Sequence, residues 1–155
     1  YAPDSDDWGT AEELDAHYAQ TCDYVRDCAQ LMWRDKRWPM FDRAPIGTWT
    51  RNRVALTGDA AHPMLQYIAQ GACQAIESAL SLAKHLAARP DAPAEALRAY
   101  QESRKLRTAR VQMTARAMGG FFHLAGIEAE VRNELIRRRA EADFSMIDWL
   151  YGHRV

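Results

Sequence analysis

The sequence predicts a mostly helical chain with two short strands, which we expect to be one part of a larger α/β fold. Apolar residues recur every three to four positions over much of the chain, the pattern of helices that bury one face. Strand signals are short, and the apolar run Val54–Leu56 is the clearest of them, typical of a buried strand. Two short strands cannot form a stable sheet core by themselves. We therefore expect the strands to join a sheet that other residues complete.

The first part of the chain is predicted to form one amphipathic helix. The sequence TAEE from Thr10 to Glu13 has the form of a capping box, in which each side chain accepts a hydrogen bond from the other residue's backbone N–H. The helix is expected to run to about Trp33. Pro39 disfavours helical backbone at the residue before it. The elements expected next are an extended segment at 38–43, a turn at 48–52 and a strand at 54–57.

The second half is predicted to form three helices. A break follows the first of them, with Asp91 as the N-cap of the next helix and a proline in its first turn. The glycine pair Gly119-Gly120 is expected to end that second helix. The aromatic-rich segment 147–152 is expected to pack against the rest of the chain. The three helices are expected at 71–86, 92–118 and 128–144.

Polarity assigns a buried and a solvated side to the last two of these helices. Their basic residues are predicted to face solvent, as surface charges on helices usually do. The inward positions are predicted to be Leu97, Tyr100, Leu106, Ala109 and Met113, followed by Val131, Leu135 and Ile136. The solvated positions are predicted to be Arg98, Arg104, Lys105, Arg107, Arg110 and Arg116.

Composition excludes several classes of function. The 155 residues suffice for one domain with a core, and a net charge of −1 offers no basic surplus for nucleic acid. No apolar run is long enough to span a bilayer, and no secretory signal begins the chain, so the expected location is the cytoplasm. The three cysteines and the histidines show no metal-ligand spacing, so no metal is expected. The first residue is not Met, and we expect the chain to be a fragment.

The stretch from Arg53 to Leu86 carries the chemistry. Asp59 follows Gly58 at the carboxyl end of a predicted strand, an edge where open α/β sheets bind ligands. Gly71 allows the backbone to approach a ligand closely. The helix that begins there offers free N–H groups and the positive end of its dipole, which favour a phosphate or a ring with delocalised negative charge. These amides belong to Gly71, Ala72 and Cys73.

The pattern R-V-x-L-x-G-D-A-A-H-P-M-L-x-Y-x-A-Q-G-A-x-Q-A-I-E in this stretch resembles the second flavin-binding motif of the single-component, FAD-dependent aromatic hydroxylases. These enzymes form the para-hydroxybenzoate hydroxylase class, and the similarity is greatest to its salicylate and 3-hydroxybenzoate hydroxylases. The resemblance implies a Rossmann-like FAD-binding α/β fold in the parent enzyme. It also implies FAD as cofactor, NADH or NADPH as co-substrate, and O2 and a small aromatic acid as substrates. A homodimer is a further expectation for the parent.

The resemblance also implies roles for individual residues. Asp59 hydrogen-bonds a ribityl or ribose hydroxyl of FAD, and Gly58 allows its approach. His62 and Pro63 shape the loop beside the flavin ring. The residues implied to line the pyrimidine side of the ring are Gln70, Gly71, Ala72 and Cys73.

Three positions depart from the family pattern. Gln66 stands where many relatives carry proline, in the loop that faces the substrate. Its carboxamide can orient a phenol or the hydroperoxide of the flavin, which makes Gln66 the catalytic candidate. The alternative is that Gln66 only caps the loop through a local side-chain–backbone bond. Tyr67 beside it is a second substrate-facing candidate, or a packing residue. Cys73 replaces asparagine, which puts one polar flavin contact in doubt. Ser78 replaces a common aspartate, with an effect expected only at the helix surface.

The family's first motif, G-x-G-x-x-G after a strand, is absent from this sequence. We therefore expect the chain to be the C-terminal part of the enzyme, unable to hold FAD tightly or turn over alone. The expected activity of the parent is 3-hydroxybenzoate 6-hydroxylation, which forms gentisate. The alternatives are salicylate 1-hydroxylation or another ring hydroxylation, and, outside enzymes, a stand-alone helical interaction module. The expected divisions are 1–50, the end of the substrate domain; 51–90, the flavin-binding strand, loop and helix; and 91–155, the C-terminal helices.

Overall fold

The computed structural model describes residues 9–34 and 39–155. It divides the chain into two compact units, Tyr1–Met40 and Phe41–Val155, and the three expected divisions stay predictions. The predicted composition of helices and two short strands is confirmed. The helices are α1 (Ala11–Tyr18), α2 (Asp23–Gln30), α3 (Gly71–Ala88), α4 (Pro93–Phe122), α5 (Gly126–Arg137) and α6 (Asp148–Tyr151). The strands are β1 (Thr50–Arg51) and β2 (Val54–Ala55), and two 3₁₀ turns lie at Gly58–Ala60 and Gln66–Ile68.

The first unit contains two helices where one was predicted. The capping box is confirmed, because the Thr10 hydroxyl accepts from the Glu13 backbone N–H at 3.2 Å and the Glu13 carboxylate accepts from the Thr10 N–H at 2.9 Å. The prediction of one helix to Trp33 is wrong. The Thr21 hydroxyl donates to the Tyr18 carbonyl at 2.7 Å, and Cys22 is extended, so local bonds end α1 before α2 begins.

The two strands form an antiparallel hairpin. Thr50 pairs with Ala55 and Arg51 pairs with Val54. The turn between them uses Asn52 at φ +54, a left-handed conformation that asparagine tolerates. The predicted turn at 48–52 and strand at 54–57 are thus both partly wrong. The structure shows no strand at 39–43, and residue 38 lies outside the described residues.

The prediction of a buried strand is also wrong for the hairpin in this chain, since Val54 is 66% exposed. The inner side of the hairpin contacts α4. Gln101 of α4 accepts hydrogen bonds from the backbone N–H groups of Trp49 at 2.7 Å and Thr50 at 3.1 Å. The core around this point combines Trp49, Ala61 and Tyr100.

Helices α3 and α4 form the body of the second unit. The start of α3 at Gly71 is as predicted. The N-cap of α4 is Ala92 rather than Asp91, with Pro93 at the first helical position. The predicted end at Gly119-Gly120 is wrong, since α4 continues to Phe122. A Cβ on Gly119 would lie 2.6 Å from the Tyr67 ring, so this glycine allows close packing rather than ending the helix.

The buried side of α4 differs from the predicted one. Leu97 and Tyr100 are buried as predicted, whereas Leu106 and Met113 are exposed. Arg104 and Arg107, predicted to be solvated, face α3 instead. The reason is helical phase: the buried positions follow the 3.6-residue period straight through Arg104. They are Ala96, Leu97, Tyr100, Gln101, Arg104, Thr108, Val111, Gln112, Ala115 and Gly119.

The helix predicted at 128–144 is shorter than expected, and a short helix, α6, follows it. Helix α5 ends at Arg137 rather than near Phe144. The prediction that Val131, Leu135 and Ile136 point inward is wrong, because all three are more than half exposed. Packing of the aromatic-rich end is confirmed by buried Leu150 and by the Arg110 guanidinium 3.8 Å from the centre of the Trp149 ring. Among the described residues no helix is both long and apolar enough to cross a membrane.

Candidate functional site

The Gly58-Asp59 turn is a sharp reversal that requires glycine. Thr57 is extended, and Gly58 then adopts φ +57, a conformation that costs glycine little. The Gly58 carbonyl accepts hydrogen bonds from the N–H groups of Ala61 and His62, each at 2.9 Å. The turn leaves Asp59 exposed, and its carboxylate bonds to no residue in 9–34 or 39–155. A free carboxylate is thus held on a hydrogen-bonded turn.

The loop after this turn is fixed by two side chains from elsewhere in the unit. Arg43 donates to the carbonyls of Ala60 at 2.9 Å and Ala61 at 3.0 Å. Gln112 of α4 donates to the carbonyls of Pro63 at 2.8 Å and Arg43 at 3.0 Å. These bonds set the path of Pro63, one of the predicted cofactor residues.

Gln66 and Tyr67 lie together on the second 3₁₀ turn but in different surroundings. The Gln66 side chain is exposed and bonds to no other described residue, so the local cap that sequence reasoning left open does not form. Tyr67 is half-buried, its ring 5.6 Å from the His123 ring and 6.3 Å from the Phe122 ring, centre to centre. The structure therefore gives Tyr67 a packing role, and a substrate role for either residue stays a prediction.

The start of α3 places the other predicted residues beside the turn. Gln70 is the buried N-cap residue, and its carbonyl accepts from the Gln74 N–H at 2.8 Å. A Cβ on Gly58 would lie 3.5 Å from the Cβ of Ala75, so the turn packs against the first turns of α3. Within the described ranges, no acceptor bonds the three amides that open the helix, those of Gly71, Ala72 and Cys73.

His62 is a buried member of the site whose contacts were not foreseen. Its Nε2 lies 3.1 Å from the Ser78 hydroxyl, and its ring centre is 5.5 Å from that of Trp49. Burial lowers the pKa of His62, so the ring is neutral at pH 7. Its Nδ1 is buried and has no hydrogen-bond partner among the residues described. The prediction of a surface role for Ser78 is wrong, because Ser78 is fully buried.

A buried network of charged and polar side chains joins α3 to α4, and sequence reasoning missed it. Arg104 donates to Gln74 Oε1 at 2.8 Å, to Glu77 Oε2 at 2.7 Å and to Ser78 Oγ at 3.4 Å. Arg107 donates to both carboxylate oxygens of Glu77 at 2.7 Å. The available sequence signal was the helical phase of α4, which makes Arg104 an inward position.

Glu77 is the one carboxylate that the two arginines share. Burial alone would raise the pKa of Glu77, but the hydrogen bonds from Arg107 and Arg104 outweigh it and lower the pKa to about 2. Arg107 also donates to the backbone carbonyls of Trp149 at 2.8 Å and Leu150 at 3.0 Å, which fixes α6. Among the described residues, no three His, Cys, Asp or Glu side chains converge on a metal-binding arrangement.

Comparison with known proteins places the chain in a family of flavin-binding proteins. Residues 4–115 match the profile of the FAD binding domain family. The chain is 41% identical over 148 residues to a 3-hydroxybenzoate 6-hydroxylase of Polaromonas naphthalenivorans (strain CJ2), covering 95% of this chain and 37% of that protein. It is 40% identical over 152 residues to a 3-amino-4-hydroxybenzoate 2-monooxygenase of Streptomyces cremeus, covering 97% of this chain and 38% of that one.

A solved structure shares the fold. A variant of Klebsiella pneumoniae HpxO complexed with FAD superimposes with a TM-score of 0.79 at 26% identity, covering 90% of this chain and 38% of HpxO. The chain thus spans well under half the length of these three proteins. The profile match nevertheless covers most of the chain, including the turn and the start of α3. The chain belongs to the FAD binding domain family.

Proposed function

We propose that this chain supplies one half of the FAD site of a single-component monooxygenase that hydroxylates a phenolic acid with NADH or NADPH and O2. The observation that carries the proposal is the pairing of two unsatisfied groups on adjoining elements. The exposed Asp59 carboxylate lies on the turn, and the unbonded amides lie at the start of α3. An acceptor for ligand hydroxyls and donors for a negatively polarised ring edge together suit FAD.

Gly71 offers a separate test of this fit. Apart from its immediate neighbours in the helix, a Cβ added to Gly71 would meet no atom of the described residues within 4 Å, and its backbone does not have a positive φ. Neither packing nor conformation within the chain therefore requires glycine at this position. Glycine at this position leaves the backbone open to close approach by a bound group. The fit with FAD is thus supported by a glycine that the fold itself does not need.

The proposed roles follow from these contacts. Asp59 accepts hydrogen bonds from hydroxyl groups of FAD, and the buried Gln70 sets the first turn of α3. Bound FAD supplies the redox and oxygen chemistry, while the protein supplies orientation and electrostatics. The amides proposed to face the pyrimidine side of the ring are those of Gly71, Ala72 and Cys73; the proposed second layer is Gly58, His62 and Pro63.

We propose 3-hydroxybenzoate as substrate and gentisate as product. Support comes from the similarity to 3-hydroxybenzoate 6-hydroxylases and from the exposed, unbonded carboxamide of Gln66, which is free to bind a phenol. An identity of 40% over 152 residues to a 3-amino-4-hydroxybenzoate 2-monooxygenase makes that substrate the second candidate. Both candidates are hydroxylated benzoates. A cytoplasmic, homodimeric parent enzyme is part of the same proposal.

The test is flavin content and product analysis of the full-length protein. We expect purified protein to carry FAD, and Asp59→Ala to lose most of it, because a ligand contact with a charged acceptor is removed. The matched control is Asp91→Ala, another exposed aspartate, which should retain FAD. Gentisate formed from 3-hydroxybenzoate supports the substrate, whereas catechol from salicylate identifies the alternative reaction. Full-length protein without FAD would contradict the proposal and favour a non-enzymatic helical module.

A further inference from the structure

We propose that Arg104 is a positioning residue for the cofactor, a buried guanidinium that fixes both halves of the flavin-facing surface relative to each other. This inference rests on the proposed function, because it concerns FAD. The two halves are the start of α3 and the loop that follows the Gly58-Asp59 turn. Arg104 itself lies on α4 and is only 2% exposed, so it acts through other side chains.

One chain of contacts runs from Arg104 to the start of α3. Its Nη2 donates to the Gln74 carboxamide oxygen at 2.8 Å. The Gln74 amide nitrogen in turn lies 3.4 Å from the carboxamide oxygen of Gln70, a long contact, and 3.1 Å from Glu77 Oε1. Gln70 is the N-cap residue of α3, immediately before the three unbonded amides. This first arm therefore ends at the proposed pyrimidine contact.

A second chain of contacts runs from Arg104 to the loop. Its Nε donates to the Ser78 hydroxyl at 3.4 Å, and that hydroxyl lies 3.1 Å from Nε2 of His62. The backbone N–H of His62 donates to the Gly58 carbonyl at 2.9 Å. This second arm therefore ends at the turn that presents Asp59. The two arms meet only at Arg104 and its neighbours on α3.

The geometry of the guanidinium explains why arginine stands here. Its three nitrogens bond three acceptors that occupy one face of α3, at Gln74, Glu77 and Ser78. A planar group with fixed donor directions sets both the rotation and the axial position of α3 against α4. A lysine ammonium keeps the charge but has no such fork of donors. Replacement by lysine thus separates the effect of geometry from that of charge.

Charge adds a second consequence. Arg104 and Arg107 share one carboxylate, that of Glu77, so the network carries one positive charge in excess. Burial lowers the pKa of both His62 and His153, so neither adds charge at neutral pH. The excess charge lies beneath the first two turns of α3, where the helix dipole is already positive. Both fields favour the negative charge that FAD gains on reduction.

The test uses full-length, FAD-loaded protein and single-arm variants. Gln74→Leu removes the first arm and Ser78→Ala the second. The matched control is Ser81→Ala: Ser81 is also a buried α3 serine bonded to α4, at 2.9 Å from the Ser103 hydroxyl, but it contacts neither arm. We expect each arm variant to raise the FAD dissociation constant roughly three- to tenfold, as for one lost hydrogen bond. Flavin fluorescence should change in both and stay unchanged in the control.

Charge is tested by Arg104→Lys against Arg104→Gln. Both should weaken FAD binding about tenfold or more, since both lose the fork. Only Arg104→Gln should also lower the midpoint potential of bound FAD, because only it removes the charge. If the arm variants match Ser81→Ala in FAD affinity and fluorescence while still folded, the network only stabilises the fold and the inference is overturned. Wild-type protein that holds no FAD would instead overturn the proposed function, and the two failures are thus distinct.

Discussion

The two sides of α3 show the reverse of the usual pattern for a surface helix: the buried side is polar and the exposed side is apolar. The side that faces α4 is polar, with buried Gln74, Ser78 and Ser81. The opposite side is apolar and exposed, with Ile76 at 69% and Leu80 at 47% exposure. A helix normally buries its apolar side and solvates its polar side. The difference teaches that polarity alone does not say which side of a helix meets the rest of its own chain.

We call the side of α3 that faces α4 the inner side and the opposite side the outer side. The inner side finds its packing partners within this chain, whereas the outer side does not find them among the described residues. The polar side chains of the inner side have partners on α4: Gln74, Glu77 and Ser78 bond to Arg104, and the Ser81 hydroxyl lies 2.9 Å from that of Ser103. The outer side has the composition of a protein interior, and contiguous apolar patches of this kind mark interaction surfaces. The chain spans 37% of the 3-hydroxybenzoate 6-hydroxylase it matches, so a partner for this side within the full-length protein is in keeping with the comparison.

The largest expected effect comes from disrupting the ion pairs on the inner side of α3. Glu77→Gln in the full-length protein leaves Arg104 and Arg107 buried without a compensating carboxylate. Removal of one partner from a buried ion pair costs about 3–5 kcal/mol of unfolding free energy. The control is Glu102→Gln, which removes the exposed pair between Glu102 and Lys105 and should cost under ~1 kcal/mol. Denaturant unfolding measures both, and equal losses would contradict the assignment of the inner side as the stabilising network.

Acid provides an independent measurement of the same network. The pKa of Glu77 is lowered to about 2 from its ordinary value of 4.5. A carboxylate with a depressed pKa adds stability above its unfolded-state pKa and loses it as pH falls through the folded-state pKa. Wild-type protein should therefore lose this contribution as the pH falls from about 4.5 to about 2. Glu77→Gln should show a shallower decline over that range, since its amide does not titrate.

The second expected effect concerns the outer side. If a partner covers it in the full-length protein, Ile76→Ala there should cost on the order of 2 kcal/mol, the low end for truncating a buried isoleucine. Leu106→Ala is the control, because Leu106 is 77% exposed on α4 among charged neighbours such as Lys105 and Arg110. Substitution of an isolated exposed apolar residue usually changes the unfolding free energy by under ~0.5 kcal/mol. A cost for Ile76→Ala as small as that for Leu106→Ala would mean that the outer side stays solvated.

Sequence motifs of a few residues predicted those parts of the fold and the site that depend only on neighbouring residues. The capping box at Thr10 and the start of α3 at Gly71 each depend on residues a few positions apart. Arg104 was misplaced because its acceptors lie 26 to 30 positions away on another helix. A prediction that places every charged helix residue in solvent does not take these distant acceptors into account. The break between α1 and α2 was missed because one hydroxyl competes with the helix for a carbonyl.

The glycine pair of α4 tests where local signals and packing disagree. Gly119-Gly120 is a helix-ending pair by local propensity, yet α4 continues through it. A Cβ on Gly119 would lie 2.6 Å from the Tyr67 ring, whereas a Cβ on Gly120 would meet no other side chain within 4 Å in the part of the chain that the structure describes. Gly119→Ala should therefore cost about 1–3 kcal/mol by overpacking. Gly120→Ala should stabilise by up to ~1 kcal/mol, because alanine favours helix. If the two substitutions change the unfolding free energy in opposite directions, packing against the 3₁₀ turn at Gln66–Ile68 keeps residue 119 small. Changes in the same direction would mean that both glycines are present only for their backbone conformation.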